Sequence, residues 1–217
     1  MKLAIDLETA NTQLEGKSAD EIVQFALDLS DGDAIVTTNF RPYEAVILHL
    51  VTRRKPDIRV LWIDHGLNLD PTYRFAEKTI NQLNLNIHKF TPLESAKIPE
   101  AAYVPEEQRT AEQEASIHAF SETVKLEPFR RGMAELDGAA WFTALRRVQN
   151  ANRAGMNYLE AGPNGILKVN PILDWTDAEM DAYLAEHDLP DETSYFDPAK
   201  AGEKSECGLH DGRLVKE

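Results

Sequence analysis

From residue 31 to residue 90 the chain alternates between two hydrophobic periods, and this alternation limits the fold more than any other feature. The stretch "DGDAIVTTNF" (31–40) reads as a turn, a short β-branched strand and a polar loop. Next comes "YEAVILHLVTRR" (43–54), a mostly apolar and therefore buried helix, then "DIRVLWIDHG" (57–66), a buried strand ending in a polar acid. Pro71 stands in the favoured first turn of a further helix over 72–83, and "NLNIHKF" (84–90) alternates as a third strand. Strand, helix, strand, helix, strand at this spacing predicts an α/β fold, a parallel sheet wrapped by helices. Ligands of such sheets bind beyond the carboxyl ends of the strands. Those ends are "TTNF" (37–40) and "DHGL" (64–67).

Around this unit the pattern is less even. Residues 18–29 read as an amphipathic helix with a Ser18/Glu21 capping box and an apolar stripe of Ile22, Phe25, Ala26 and Leu29. Residues 92–124 are polar and acidic, and read as a long excursion or a helical insertion. The sheet pattern resumes at 139–147 and 165–175, followed by a helix with a Thr176/Glu179 capping box and Met180, Tyr183 and Leu184 facing inward. From residue 188 onward no regular element is predicted, and no linker or internal repeat divides the chain.

Composition narrows the function. A net charge of −14 lacks the basic footprint of a nucleic-acid binder. The positive charge is grouped instead, as "TRRK" (52–55), "RR" (130–131), "RR" (146–147) and Arg153, and paired arginines are a usual clamp for phosphate or sulfate. No run is apolar enough for a signal peptide or a membrane span, so a cytoplasmic location is expected. With a single cysteine, Cys207, the sequence can form no intrachain disulfide and no four-cysteine metal or iron–sulfur site.

Several stretches suggest chemistry. "TTNFRP" could cradle phosphate at a helix N-terminus, although read alone it is more simply an ordinary strand-to-helix loop without glycine. Asp64 could bond a ribose or an adenine edge and Gly66 could admit a nucleotide; read alone, "DHG" is equally a capped turn. "LRRVQNANR" (145–153) could hold an anion or simply be solvated surface. Cys207 is either an inert exposed thiol or a thiolate helped by Lys204 or a protonated His210. If it does disulfide chemistry, its resolving thiol must come from another protein.

Taken together these stretches resemble the phosphoadenylyl-sulfate (PAPS) reductase family. "ECGLH" (206–210) resembles that family's catalytic signature. "AVILHLVTRRKPDIRVLWIDHGLNLDPTYRF", "KLEPFRRGMAEL", "AWFTALRRVQN" and "VNPILDWTDAEMDAYLAEHDLP" resemble its other blocks, in order and across nearly the whole chain. The resemblance implies an adenine nucleotide α-hydrolase-like, Rossmann-type domain over 1–200 and a mobile catalytic tail over 201–217. It implies attack by Cys207 on the sulfonate sulfur of PAPS, release of adenosine 3′,5′-bisphosphate, and an S-sulfocysteine. Reduced thioredoxin or glutaredoxin would then free sulfite. By position, Thr37, Thr38, Asn39 and Phe40 fall in the phosphate loop, and Asp64, His65 and Gly66 in the family's Asp-Thr-Gly. Lys125 falls in the "K-x-E-P" block and Arg146 and Arg147 in the arginine pair, with Glu206 and His210 flanking the nucleophile. The resemblance further implies the branch without an iron–sulfur cluster, no bound cofactor or metal, and a homodimer.

The sequence departs from the family pattern at three places. Arg41 stands where glycine is usual, His65 replaces the middle threonine, and the stretch before "ECGLH" is shortened to "SYFDP". Adenylyl-sulfate or another sulfonated nucleotide therefore remains an alternative substrate, and a redox-sensing nucleotide binder an alternative function.

Overall fold

The computed structural model describes residues 5–197. The chain opens with α1 (Leu7–Leu14) and α2 (Ala19–Leu29), and then alternates. β1 (Ala34–Thr38), α3 (Glu44–Arg54), β2 (Arg59–Ile63), α4 (Asp70–Leu83) and β3 (Asn86–Phe90) form the expected succession. A helical stretch follows, with α5 (Ala111–Ser121) and α6 (Glu127–Leu136), then β4 (Ala140–Phe142), β5 (Leu159–Ala161), β6 (Leu167–Val169) and α7 (Asp177–Glu186). The six strands lie in the order β3-β2-β1-β4-β6-β5. Every pairing is parallel except the edge pair β5–β6.

The strand order makes β1 the turning point. The chain builds β1, β2 and β3 outward on one side and then returns to place β4 on the other side of β1. Loops leaving β1 and β4 therefore diverge, and a cleft opens at their carboxyl ends. One sheet face carries Val36, Val60 and Phe142 in the large core with α2 and α3, and the other carries Ile35, Leu61 and Trp141 against Phe129 of α6. Both faces of β1 are covered, which explains its continuous apolar run.

The region 92–124 is a helical insertion whose end is unusual. Between α5 and α6 the helix opens into a π-turn over Glu122–Leu126, where the Glu127 N–H reaches the carbonyl of Glu122. Pro128 lacks an N–H and its ring would strike the carbonyl four residues back, so a wider turn relieves an α-helical clash. The bulge places Lys125 inward, 2 % exposed.

α3 and α7 meet through aromatic rings. His49 Nδ1 lies 2.9 Å from the Tyr183 hydroxyl, and its ring centroid is 4.7 Å from that of His187. Burial, then the charge of His187 and of Arg53, lowers the His49 pKa from 6.5 to about 4. A histidine held neutral stabilises the fold above pH 6.5, and that stability is lost as pH falls from 6.5 towards 4. Urea midpoints should therefore drop between pH 7 and pH 5, and His49→Gln should drop less over the same range. Parallel profiles would exclude His49 as the titrating group.

Among the described residues no helix is long and apolar enough to cross a membrane.

Candidate active site

The loop after β1 begins with two hydroxyls. Thr37 accepts the Trp141 Nε1–H at 2.9 Å, which ties β1 to β4 at the mouth of the cleft. Thr38 donates its hydroxyl to Glu44 Oε2 at 2.7 Å, and accepts the Phe40 N–H at 2.9 Å. The same Glu44 oxygen takes the N–H of Asn39 at 2.7 Å and that of Arg41 at 3.2 Å. Arg41 Nε meets Glu44 Oε1 at 2.9 Å. Phe40 and Tyr43 hold left-handed φ values of 52° and 69°, conformations rarely adopted by side chains of this size. The N–H groups of Asn39 and Arg41 converge on the Glu44 carboxylate in the manner of an anion nest, while that of Phe40 between them turns to Thr38. The Phe40 side chain is buried against Trp62 and Phe75, so only its backbone faces the loop.

Beside this loop lies a cleft lined by Arg41, Arg146, Val148, Gln149, Asn150, Arg153 and Asp177. Arg146 is buried, bonds the Trp175 carbonyl at 3.2 Å and Asp177 at 2.8 Å, and lies 5.2 Å from the centre of the Tyr43 ring. Its Nε has no hydrogen-bond partner among the described residues. Arg153 bonds Gln149 within the same cleft. Three guanidinium groups thus gather in one concave site of an acidic protein.

The end of β2 forms a second wall. The Asp64 carboxylate accepts the Gly66 N–H at 3.0 Å and the Tyr73 hydroxyl at 2.8 Å, with Lys89 Nζ at 3.4 Å. Burial, then Asp64, pushes the Tyr73 hydroxyl up to about 12. Gly66 sits at φ +74° with open space where a side chain would project. His65 Nδ1 accepts the Leu67 N–H at 3.1 Å, so its neutral ring carries the proton on Nε2. Burial pulls the His65 pKa down; Asp197 opposes and Lys125 adds to it. The Lys125 ammonium and the Asp197 carboxylate form an ion pair whose side chains are 3 % and 4 % exposed. The Tyr195 hydroxyl is 3.5 Å from Asp197 Oδ2, and the Asp191 carboxylate accepts the Tyr43 N–H at 2.8 Å. The segment after α7 is thereby fastened both to the β1 loop and to the π-turn.

The family described as "Phosphoadenosine phosphosulfate reductase domain" matches residues 33–197, a span that holds every side chain of this cleft. The chain belongs to this family. It is 35% identical over 232 residues to a phosphoadenosine 5′-phosphosulfate reductase of Vibrio parahaemolyticus, covering 94% of this chain and 86% of the relative. An enzyme of the same name from Xanthomonas axonopodis is 39% identical over 186 residues, covering 85% of this chain and 75% of the relative. In three dimensions the fold matches the crystal structure of a PAPS reductase from Candida auris in a phosphate complex. That match has a TM-score of 0.70 at 24% identity, covering 88% of this chain and 91% of that one. The adenine nucleotide α-hydrolase-like architecture expected from the sequence is the one observed.

Within this family frame the expected residues divide. Thr37, Thr38, Asn39 and Arg146 border the two adjoining spaces at the β1–β4 switch. Asp64, His65 and Gly66 stand at the neighbouring strand end, and Lys125 is paired with Asp197. The adjacent arginines face different surroundings. Arg147 turns to Asp174, the Met156 carbonyl and the Tyr158 ring, and is not among the residues lining the arginine cleft. The cations that join Arg146 there are Arg41 and Arg153. Arg41 replaces the expected glycine, and Arg153 lies one 3₁₀ turn further along "LRRVQNANR". Glu206, Cys207 and His210 lie outside the described residues.

Proposed function

We propose that this chain reduces PAPS to sulfite and adenosine 3′,5′-bisphosphate, as part of sulfate assimilation. The observation that carries the reading is the identity to enzymes named for this reaction across most of both chains. The arginine cleft at the switch point supports it, because the substrate is a nucleotide bearing several anionic groups.

In this reading residues 1–200 bind the nucleotide and residues 201–217 bring the nucleophile. The Cys207 thiolate attacks the sulfonate sulfur and the S–O bond to the nucleotide breaks. The electron pair leaves with the phosphate oxygen, and an S-sulfocysteine remains. A thiolate of reduced thioredoxin or glutaredoxin then attacks Cys207 Sγ, and sulfite departs with the S–S bonding pair. The reductant's second thiol resolves the mixed disulfide, since this chain has no second cysteine. No iron–sulfur cluster enters these steps, and a thiol reductant suits the reducing cytoplasm.

Arg41, Arg146 and Arg153 hold the anionic groups, Asp64 and Gly66 meet the nucleoside, and Glu206 and His210 flank the thiol. Loss of a guanidinium that bonds an anion removes about 1.5–3 kcal/mol, roughly 10- to 100-fold in affinity. Arg153→Ala should weaken adenosine 3′,5′-bisphosphate binding by that factor in calorimetry, and Arg147→Ala by less than about threefold. The reverse order would restore the adjacent pair as the clamp. Sulfite release measured with PAPS and with adenylyl-sulfate, each with reduced thioredoxin, tests the function itself: activity on adenylyl-sulfate alone would reassign the substrate.

A further inference from the structure

We propose that Glu44 is a place-holding anion, an internal carboxylate that occupies the β1 loop and competes with the incoming anionic group of the nucleotide. This rests on the nucleotide-binding reading above and names the residue that sets the affinity of that site. Glu44 is 4 % exposed, yet its carboxylate is not paired in the manner of a surface glutamate. One oxygen collects the Thr38 hydroxyl and the N–H groups of Asn39 and Arg41, and the other collects the Arg41 guanidinium. Hydroxyl, two backbone N–H groups and a guanidinium converging on the two oxygens of one carboxylate are the donors that a phosphate or sulfonate group requires. The loop is folded to receive an anion, and the anion it holds belongs to the chain itself.

The position of Glu44 gives this arrangement its consequence. It is the first residue of α3, so rotation about its own side-chain bonds can withdraw the carboxylate without moving the helix. Arg41 borders both the loop space and the arginine cleft, and Glu44 holds its Nε on the loop side. An oxyanion entering from the cleft therefore meets a carboxylate of its own sign and an arginine already engaged. Binding must exchange one anion for another, which lowers affinity for any ligand lacking enough charge to displace Glu44. The residue thus selects for polyanionic nucleotides.

Glu44→Gln keeps the shape and one acceptor oxygen but removes the competing charge, and Glu44→Ala empties the site. The test titrates inorganic sulfate, and separately adenosine 3′,5′-bisphosphate, into the wild-type chain and both variants at constant ionic strength. Circular dichroism checks the fold, and the Gln variant decides if the Ala variant fails to fold. The expected result is sulfate binding at least about tenfold tighter in the variants, equal to 1.4 kcal/mol, with a lower KM for PAPS. A place that is merely structural would give unchanged or weaker sulfate binding, and either outcome overturns the proposal. Sulfate binding does not depend on the identity of the nucleotide. Failure of the bisphosphate alone to bind would therefore count against the proposed function and leave the Glu44 readout intact.

Discussion

Cys207→Ser is expected to abolish sulfite release, by more than about 10⁴-fold, while adenosine 3′,5′-bisphosphate binds within about twofold of its normal affinity. The asymmetry follows from where the groups lie. The cationic cleft is built from Arg41, Arg146 and Arg153 inside residues 33–197, whereas the single thiol stands later in the sequence. Serine fails twice over in this chemistry. Its hydroxyl is not appreciably ionised at neutral pH, and a sulfate ester formed on it offers no sulfur at which a thiol could displace sulfite. Activity assays with thioredoxin and binding by calorimetry measure the two halves separately. Retained turnover in Cys207→Ser would remove the thiol from the mechanism, and lost binding would mean that it serves the site rather than the reaction.

The second large effect concerns the ion pair that fastens the segment after α7. Lys125 and Asp197 are almost completely buried, and removing one member of such a pair typically costs about 3–5 kcal/mol. The two single variants should differ. Lys125 is carried in the π-turn between two helices and cannot retreat to water, whereas Asp197 stands beyond α7, where residues 190–197 hold no regular structure. Asp197→Leu, which leaves the ammonium buried, should therefore carry the full cost, lowering the melting temperature by roughly 10 °C. Lys125→Met should cost less, because the carboxylate can swing out. The double variant Lys125→Met/Asp197→Leu should recover most of the loss, since an apolar pair of similar volume needs no compensation. Thermal melts of the three variants decide it. A change of under 1 kcal/mol in Asp197→Leu would show that the pair behaves as a surface contact.

Much of the scaffold is legible in the hydrophobic period. The helices capped by Ser18/Glu21 and Thr176/Glu179 form with those capping boxes in place. β1, β2 and β3 fall where β-branched runs end in polar residues, and the edge where the cleft opens follows from their direction. Other elements left little pattern. α1 buries only Ala10 and Leu14, too few positions to show a period. β5 has three residues and depends on Asn11, whose side chain bonds both the N–H and the carbonyl of Leu159 across 148 residues of sequence. The expected strand over 139–147 is only Ala140–Phe142, because Thr143 turns its hydroxyl to Asn170 and the chain leaves the sheet.

The site was legible in place and not in wiring. "TTNF" does stand at the switch point, but its donors serve Glu44, through left-handed turns at Phe40 and Tyr43 that no glycine announces. Arg146 and Arg147 are adjacent in sequence, and their backbone directs them to Asp177 and Asp174 respectively. The Lys125–Asp197 pair joins residues 72 positions apart, and "SYFDP" carries no pattern that marks its aspartate as buried. Local period reveals elements, whereas these contacts arise only when the elements pack.

The most direct test of the mechanism is intact and peptide mass spectrometry of the reduced chain mixed with PAPS, with adenylyl-sulfate in parallel and no thioredoxin present. The account predicts a gain of one SO₃ group on the peptide carrying Cys207 with PAPS, removed on adding reduced thioredoxin. No adduct from either nucleotide would contradict the S-sulfocysteine mechanism and leave a nucleotide-binding protein whose thiol does other work.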